Sequence, residues 1–228
     1  MTLKLNGSSS GYTAIDAPAA AGSNTLVLPP NNGSANQVLK TDGSGNLTWV
    51  DQGTPGWNKI ATTTYSDVAT IDIEDTAAFD GTYDFTKIYL SDVRPASDNQ
   101  MLLWRIKQGG AYVTTSDYFS HSLVWYHDTN TITNERAYSE DRGEWTTGTV
   151  GNHAQDSLHA HWEFATPTAT TYHPTFSWEG WGKSAAGNSM KISGSGFCDA
   201  NLAAFTGLRL YAVSGNLSAK VTTYGLTK

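Results

Sequence analysis

The chain has one cysteine, few charged side chains and no long hydrophobic run. Cys198 cannot form a disulfide within the chain or a cysteine-rich metal site, and its setting predicts a small buried residue. Charged residues make up 15% of the 228 residues, and the formal net charge is −7. Because phosphate contacts need clustered lysine and arginine, this composition argues against nucleic-acid binding. The absence of a bilayer-length apolar run predicts no membrane insertion.

Helical periodicity is almost absent as well. Threonine, tyrosine, tryptophan, valine and serine fill short runs closed by glycine, asparagine or aspartate, which is typical of many short strands. Strands are predicted at residues 57–64, 69–73, 87–93, 100–107, 123–125, 158–165, 175–179, 191–197, 208–213 and 220–226. A short turn at Ser214–Asn216 predicts a hairpin between the last two of these strands, 208–213 and 220–226. Only residues 199–205 could form a helical turn. The spacing indicates an antiparallel β-sandwich of the jelly-roll kind.

Composition divides the chain near residue 56. Up to this point turns are dense and aromatic residues are rare, whereas seven of the eight tryptophans follow it. The first part carries short apolar runs such as Leu26–Leu28 between glycine, serine, asparagine and proline. A lone chain of this kind cannot bury enough apolar surface to offset its ordering entropy. We therefore expect residues 1–56 to form an extended shaft in which three identical chains close around one axis, and residues 57–228 to form a β-sandwich head.

Four stretches of the first part carry a resemblance to a known family: Ala14–Pro18, Gly22–Leu26, Gly33–Gln37 and Asp42–Asn46. They resemble a repeat of tail-fibre and related virion proteins of tailed bacteriophages, especially phages of cyanobacteria. Residues 79–98 and 208–226 resemble the globular module that often follows this repeat. The resemblance implies a structural protein of the virion, commonly a homotrimer. It carries over no catalytic residue.

A virion component of this kind is expected to be assembled in the host cytoplasm. We expect it to contact other virion proteins through the N-terminal segment and to need no cofactor. The resemblance leaves its place on the particle open. Host adhesion is the favoured function, and a structural role in the capsid decoration, head fibre, collar or baseplate is the alternative.

The most polar part of the second domain, residues 134–148, is predicted to be a long loop. Long loops on a rigid sandwich are frequent binding sites, and aromatic faces beside charged groups suit sugar rings. A second aromatic pair follows in the chain, where Trp178 and Trp181 should face opposite sides of a strand, one in the core and one exposed. The candidate glycan-binding residues are Tyr138, Arg142, Glu144, Trp145 and Trp181.

Two further chemistries remain as alternatives. His159 and His161 would share one face of a strand, and three chains around an axis could offer six imidazoles to a transition metal; the alternative is a solvated strand face. Paired carboxylates could cleave a glycan if a cleft held two of them at the required separation. The candidates for such a pair are Glu135, Glu140, Asp141, Glu144, Glu163 and Glu179. The interpretation favoured by the sequence is a binding protein and not an enzyme.

Overall fold

The computed structural model describes residues 3–51, 56–146, 150–153, 156–165, 170–171 and 173–226. The chain divides into two compact units, Met1–Gly53 and Thr54–Lys228, where the sequence analysis expects domains at 1–56 and 57–228. Residues 53–55, around which the expected boundary lies, fall outside the described residues.

Two antiparallel hairpins make up the first unit. One pairs β1 (Leu3–Asn6) with β2 (Tyr12–Ile15), and the other pairs β3 (Gln37–Thr41) with β4 (Leu47–Asp51). Two-stranded hairpins are at best marginally stable in water when nothing packs on them. None of the described residues 3–51 is buried. The unit therefore has no hydrophobic core of its own.

The second unit consists almost entirely of strands. They are β5 (Trp57–Val68), β6 (Ile71–Ile73), β7 (Phe85–Pro95), β8 (Leu102–Gln108), β9 (Ala111–Tyr112), β10 (Tyr118–Tyr126), β11 (Thr131–Glu140), β12 (Gly143–Glu144), β13 (Leu158–Ala165), β14 (Thr175–Lys183), β15 (Ser189–Cys198), β16 (Phe205–Ala212) and β17 (Leu217–Leu226). The short helix α1 (Thr76–Phe79) follows β6. The all-β antiparallel class expected from the sequence is confirmed.

These strands are divided between two antiparallel sheets. The larger sheet has eight, in the order β11-β10-β15-β14-β13-β7-β17-β5, and the smaller has the order β12-β8-β16-β6 with β9 paired to β8. Strands such as β13 alternate buried and partly exposed residues, so that Leu158, Ala160, Trp162 and Phe164 point inward. The buried side chains of both sheets belong to one hydrophobic core, which gives a sandwich-like pair of layers.

Tryptophan dominates the centre of this core. Trp162 lies on β13, and its ring centroid is 4.6 Å from Trp178, 5.8 Å from Trp104 and 5.8 Å from Trp145. All four indoles are at most 1% exposed. Burial of so much aromatic surface is a large contribution to stability, and the edge-to-face and offset geometries add to it. The predicted burial of Cys198 is confirmed, and burial raises the pKa of its thiol to about 11, which keeps the thiol protonated.

Three local predictions are wrong. Ser214–Asn216 do not close a hairpin, because β16 lies in the smaller sheet and β17 in the larger one. Residues 199–205 contain no helical turn. Residues 134–148 are not one long loop: the described part runs through the end of β11 and through β12, while residues 147–149 lie outside the described residues. β11 is an edge strand, and charged side chains are common on the edges of natural sheets.

Candidate functional site

The outer face of the larger sheet is unusually aromatic. An antiparallel sheet with one face on a core commonly presents polar side chains on the other face. Here the outward positions of neighbouring strands carry large apolar side chains that are more than a third exposed. They are Trp57, Phe85, Tyr89, Leu123, Trp125, Ile132, Tyr138, Trp181 and Phe197. Contiguous exposed apolar side chains are typical of interaction sites, and the candidate site lies on strands β11 to β13, away from Trp57 on the β5 edge.

Five residues directly opposite one another on adjacent strands form a row across this face. In register order from β11 to β13 they are Ile132, Trp125, Lys191, Trp181 and His159, which we call the tryptophan row. Residues in register on neighbouring strands share a face, and two strand spacings separate the indoles by about 10 Å. Trp125 is 46% exposed and Trp181 is 55% exposed. Lys191 therefore lies between two half-exposed indoles.

Local contacts position the side chains of the tryptophan row. The Trp181 ring stacks on His159, with centroids 6.2 Å apart and planes at 28°. The His159 Nε2 atom lies 3.1 Å from the hydroxyl of Ser157, which restrains the imidazole. The Lys191 ammonium lies 3.7 Å from a carboxylate oxygen of Glu179. The row thus presents flat rings beside a cation and a carboxylate.

A second row crosses the same face closer to the other end of these strands. It comprises Tyr138, Phe119, Phe197 and Thr175, which we call the phenylalanine row. Phe119 and Phe197 stack with centroids 4.9 Å apart and planes at 8°, and Tyr138 meets Phe119 edge-on at 5.3 Å. These residues, with His121 and Arg136, line a groove of about 350 Å³.

Along β15, small hydroxyl residues separate the two rows. In Ser193-Gly194-Ser195-Gly196 of β15 the serines point outward and the glycines inward. A Cβ atom on Gly194 would lie 2.5 Å from the Trp178 ring, and one on Gly196 would lie 3.0 Å from the Trp104 ring. Glycine is needed inside because tryptophan fills the space below. On the outer face, Ser195 opposes Ser177 of β14, and we call Ser177, Ser193 and Ser195 the serine strip.

The structure brings only part of the predicted site to this face. Tyr138 is 66% exposed, lines the groove, and has the Arg136 guanidinium 5.5 Å from its ring centroid. Trp181 lies in the tryptophan row, some 20 Å along the sheet from the phenylalanine row. The prediction that Trp178 and Trp181 face opposite sides is confirmed, since Trp178 is 1% exposed and Trp181 is 55% exposed.

Arg142, Glu144 and Trp145 lie elsewhere. Trp145 is 0% exposed, so the expectation of a surface ring is corrected: the indole packs on Trp162 inside the core. Arg142 forms an ion pair with Asp141 at 2.6 Å. Glu144 belongs to β12 of the smaller sheet, and burial, together with Glu135 and Glu140, raises the pKa of its carboxyl despite the opposing effect of Arg142.

His159 and His161 share the outer face of β13, as expected, but their rings have different neighbours. His161 lies 5.7 Å from the Tyr89 ring and 3.9 Å from Glu163, which also pairs with Lys87. Burial, with Lys87 as the next cause, lowers the pKa of His161. Within the residues that the structure describes, no group of three or more histidine, cysteine or acidic side chains could hold a metal. The role of these histidines as metal ligands stays a prediction.

Phe119, Trp125, Lys191 and Phe197 belong to these rows but were not among the site residues predicted from the sequence. The signal was present in β10, where Phe119, His121, Leu123 and Trp125 alternate with inward-facing residues. A strand that is aromatic on its outward positions as well as apolar on its inward ones has two contact faces.

No family model, curated protein or solved structure matches this chain. Among the described residues, no helix has the length and apolar character needed to cross a membrane.

Proposed function

We propose that this protein is a non-catalytic fibre or spike component of a tailed-bacteriophage virion and that it adheres to glycan on the host surface. The phage assignment rests on the resemblance of residues 14–46 to the fibre repeat. The binding function rests on the tryptophan row, in which two half-exposed indoles flank Lys191. Sugar rings offer apolar C–H faces to such indoles and hydroxyl edges to the neighbouring polar groups.

We further propose that three chains associate through the first unit, which forms the shaft and attaches to other virion proteins after assembly in the host cytoplasm. The support is that none of residues 3–51 is fully buried and that Leu26 and Leu28 are 66% and 69% exposed. Three copies of the sandwich head would then present three weak glycan sites, and avidity would raise the overall affinity without tight single sites.

Sedimentation of the full chain tests the trimer. We expect the wild type to sediment as a trimer and Leu26→Asp with Leu28→Asp to sediment as a smaller species, because buried charge opposes association. Asn32→Asp adds a charge at another exposed position of the same unit and is the matched control. A monomeric wild type, or a double variant that remains fully trimeric, would contradict this assembly.

The second candidate function is purely structural, as a protein of the capsid decoration, head fibre, collar or baseplate type. It is favoured by the exposed apolar surface of the first unit, which could contact other virion proteins. Averaged electron cryo-microscopy of the virion separates the two functions by location. Density at the tail tip, with the sandwich pointing outward, is expected for an adhesin, whereas density over the capsid lattice would favour decoration.

Glycan binding is tested with the full chain on an array of bacterial surface polysaccharides. We expect wild-type binding to at least one polysaccharide, and we expect Trp125→Ala with Trp181→Ala to lose at least about tenfold in affinity, the size of an interface hot spot. Trp57→Ala is the matched control, because Trp57 is 43% exposed on β5 at the opposite edge of the sheet. If the wild type bound no polysaccharide, or if the double variant and Trp57→Ala lost affinity equally, the proposal would be contradicted.

A further inference from the structure

The two aromatic rows lie at opposite ends of the same strands, with the serine strip between them. Along β15 the outward residues run from Lys191 through Ser193 and Ser195 to Phe197. Six residues of strand correspond to about 20 Å. A single sugar ring is much shorter than this separation, so a ligand that touched both rows would need several linked rings.

The chemistry of the path suits one class of ligand. Each end supplies rings, at Trp125 and Trp181 in one row and at the stacked Phe119 and Phe197 in the other. The middle of β15 supplies the short hydroxyl side chains of Ser193 and Ser195, flanked by Leu123 and His121 of β10 and by Glu179 and Ser177 of β14. Ser177 and Ser195 are exposed there. Apolar contacts at the ends and hydroxyl groups in the middle match a chain of sugars, whose rings have apolar faces and whose edges carry hydroxyls.

The groove at the phenylalanine row also carries polar groups at its rim. His121 and Arg136 lie directly opposite each other on β10 and β11, and His121 is in register with Ser195 of β15. Arg136 is exposed, so its guanidinium can donate hydrogen bonds outward. The groove therefore combines a stacked aromatic wall with donors for hydroxyl oxygens.

We propose that an extended oligosaccharide lies along β15, from the tryptophan row over the serine strip to the phenylalanine row. The ligand is thus a linear stretch of bacterial polysaccharide several sugars long, which the protein binds and does not cleave. This inference rests on the proposed glycan-binding function and adds to it a second subsite, a direction and a minimum ligand length.

The test uses the full chain and two size fractions, disaccharide and hexasaccharide, prepared from the polysaccharide that gives the strongest array signal. Isothermal titration calorimetry should show that the hexasaccharide binds the wild type at least about tenfold more tightly than the disaccharide. Phe197→Ala should remove this advantage while leaving disaccharide affinity unchanged. Trp181→Ala should weaken both fractions, and Trp57→Ala should weaken neither.

The possible failures are distinguishable. If both fractions bind with equal affinity, or if Phe197→Ala changes neither, the extended path is overturned while glycan binding stands. If no polysaccharide binds at all, the proposed function falls together with this inference. Sedimentation of Phe197→Ala tests whether a second copy of the chain occupies the groove in place of a sugar. If this variant sediments as a smaller species than the wild type, the groove is an interface between chains, and the proposal is overturned.

Discussion

A Cβ atom on Gly194 would lie 2.5 Å from the indole of Trp178. This relationship links the core to the proposed binding face, because the glycine that makes room for Trp178 alternates with the serines of the outer strip. The tryptophan-rich interior and the hydroxyl-bearing exterior are consequences of one short alternating sequence in β15.

Replacing Gly194 tests the close contact. Gly194→Ala places a methyl group against the Trp178 ring and the His121 carbonyl, and we expect it to cost about 1–3 kcal/mol in the free energy of unfolding. Ser193→Ala is the matched control on the next residue and should stay within about 0.5 kcal/mol of the wild type, as is usual away from the core. Urea unfolding of both variants measures the difference, and equal stabilities would contradict the packing described.

Trp145→Ala should destabilise the fold. Because the indole is fully buried against Trp162, its removal leaves a large cavity, and the expected loss is about 3–5 kcal/mol. Tyr138→Ala removes an aromatic ring that is 66% exposed and should cost far less. Thermal unfolding compares the two. If the Trp145 variant had the Tm of the wild type, the burial of this indole in the core would be contradicted.

Glu144 predicts a pH dependence. The pKa of its carboxyl is raised in the folded chain, chiefly by burial, so the ionised form lowers stability above the folded pKa, and this penalty vanishes below the unfolded pKa. Glu144→Gln should therefore have a higher Tm than the wild type at pH 7, and the advantage should shrink as the pH falls through the folded pKa and be lost below the unfolded pKa of about 4.3. An advantage that grew on acidification would have the wrong sign.

Replacing Arg209 with lysine should lower the stability of the fold. Its guanidinium donates to both carboxylate oxygens of Asp72, at 2.7 and 2.6 Å, and lies 3.8 Å from the centroid of the Tyr112 ring. Lysine cannot reproduce the two parallel hydrogen bonds or the stacking, and we expect Arg209→Lys to cost about 1 kcal/mol. Arg136→Lys, at an exposed guanidinium, is the control. Chemical denaturation that found equal losses would contradict a special role for Arg209.

The strand pattern was predictable where alternation was strong. The predicted and observed limits of β13, Leu158–Ala165, coincide because large apolar residues alternate with histidine and glutamate throughout. The turn at Ser214–Asn216 signalled a reversal, but it could not show that the chain crosses to the other sheet. That choice depends on pairing of β16 with β8 and of β17 with β7, which are distant in sequence.

The site was predictable only in part, for the same reason. Trp181 was predictable because alternation along a strand places it on the opposite side from Trp178. Tyr138 was predictable only as an aromatic residue of a polar segment, and it lies on β11 where a loop was expected. The rows themselves depend on register among β11, β10, β15, β14 and β13, which no local pattern fixes. Trp145 was misplaced because charged neighbours suggested a loop, whereas its burial depends on long-range contact with Trp162.

The most direct test of glycan adhesion is a crystal structure of the full chain, determined from crystals soaked with the hexasaccharide fraction of the polysaccharide that binds on the array. We expect sugar density stacked on Trp125 and Trp181 and continuing along β15 towards Phe197. Sugar density on the smaller sheet, or an outer face covered by another copy of the chain with no sugar on it, would contradict glycan adhesion through this surface.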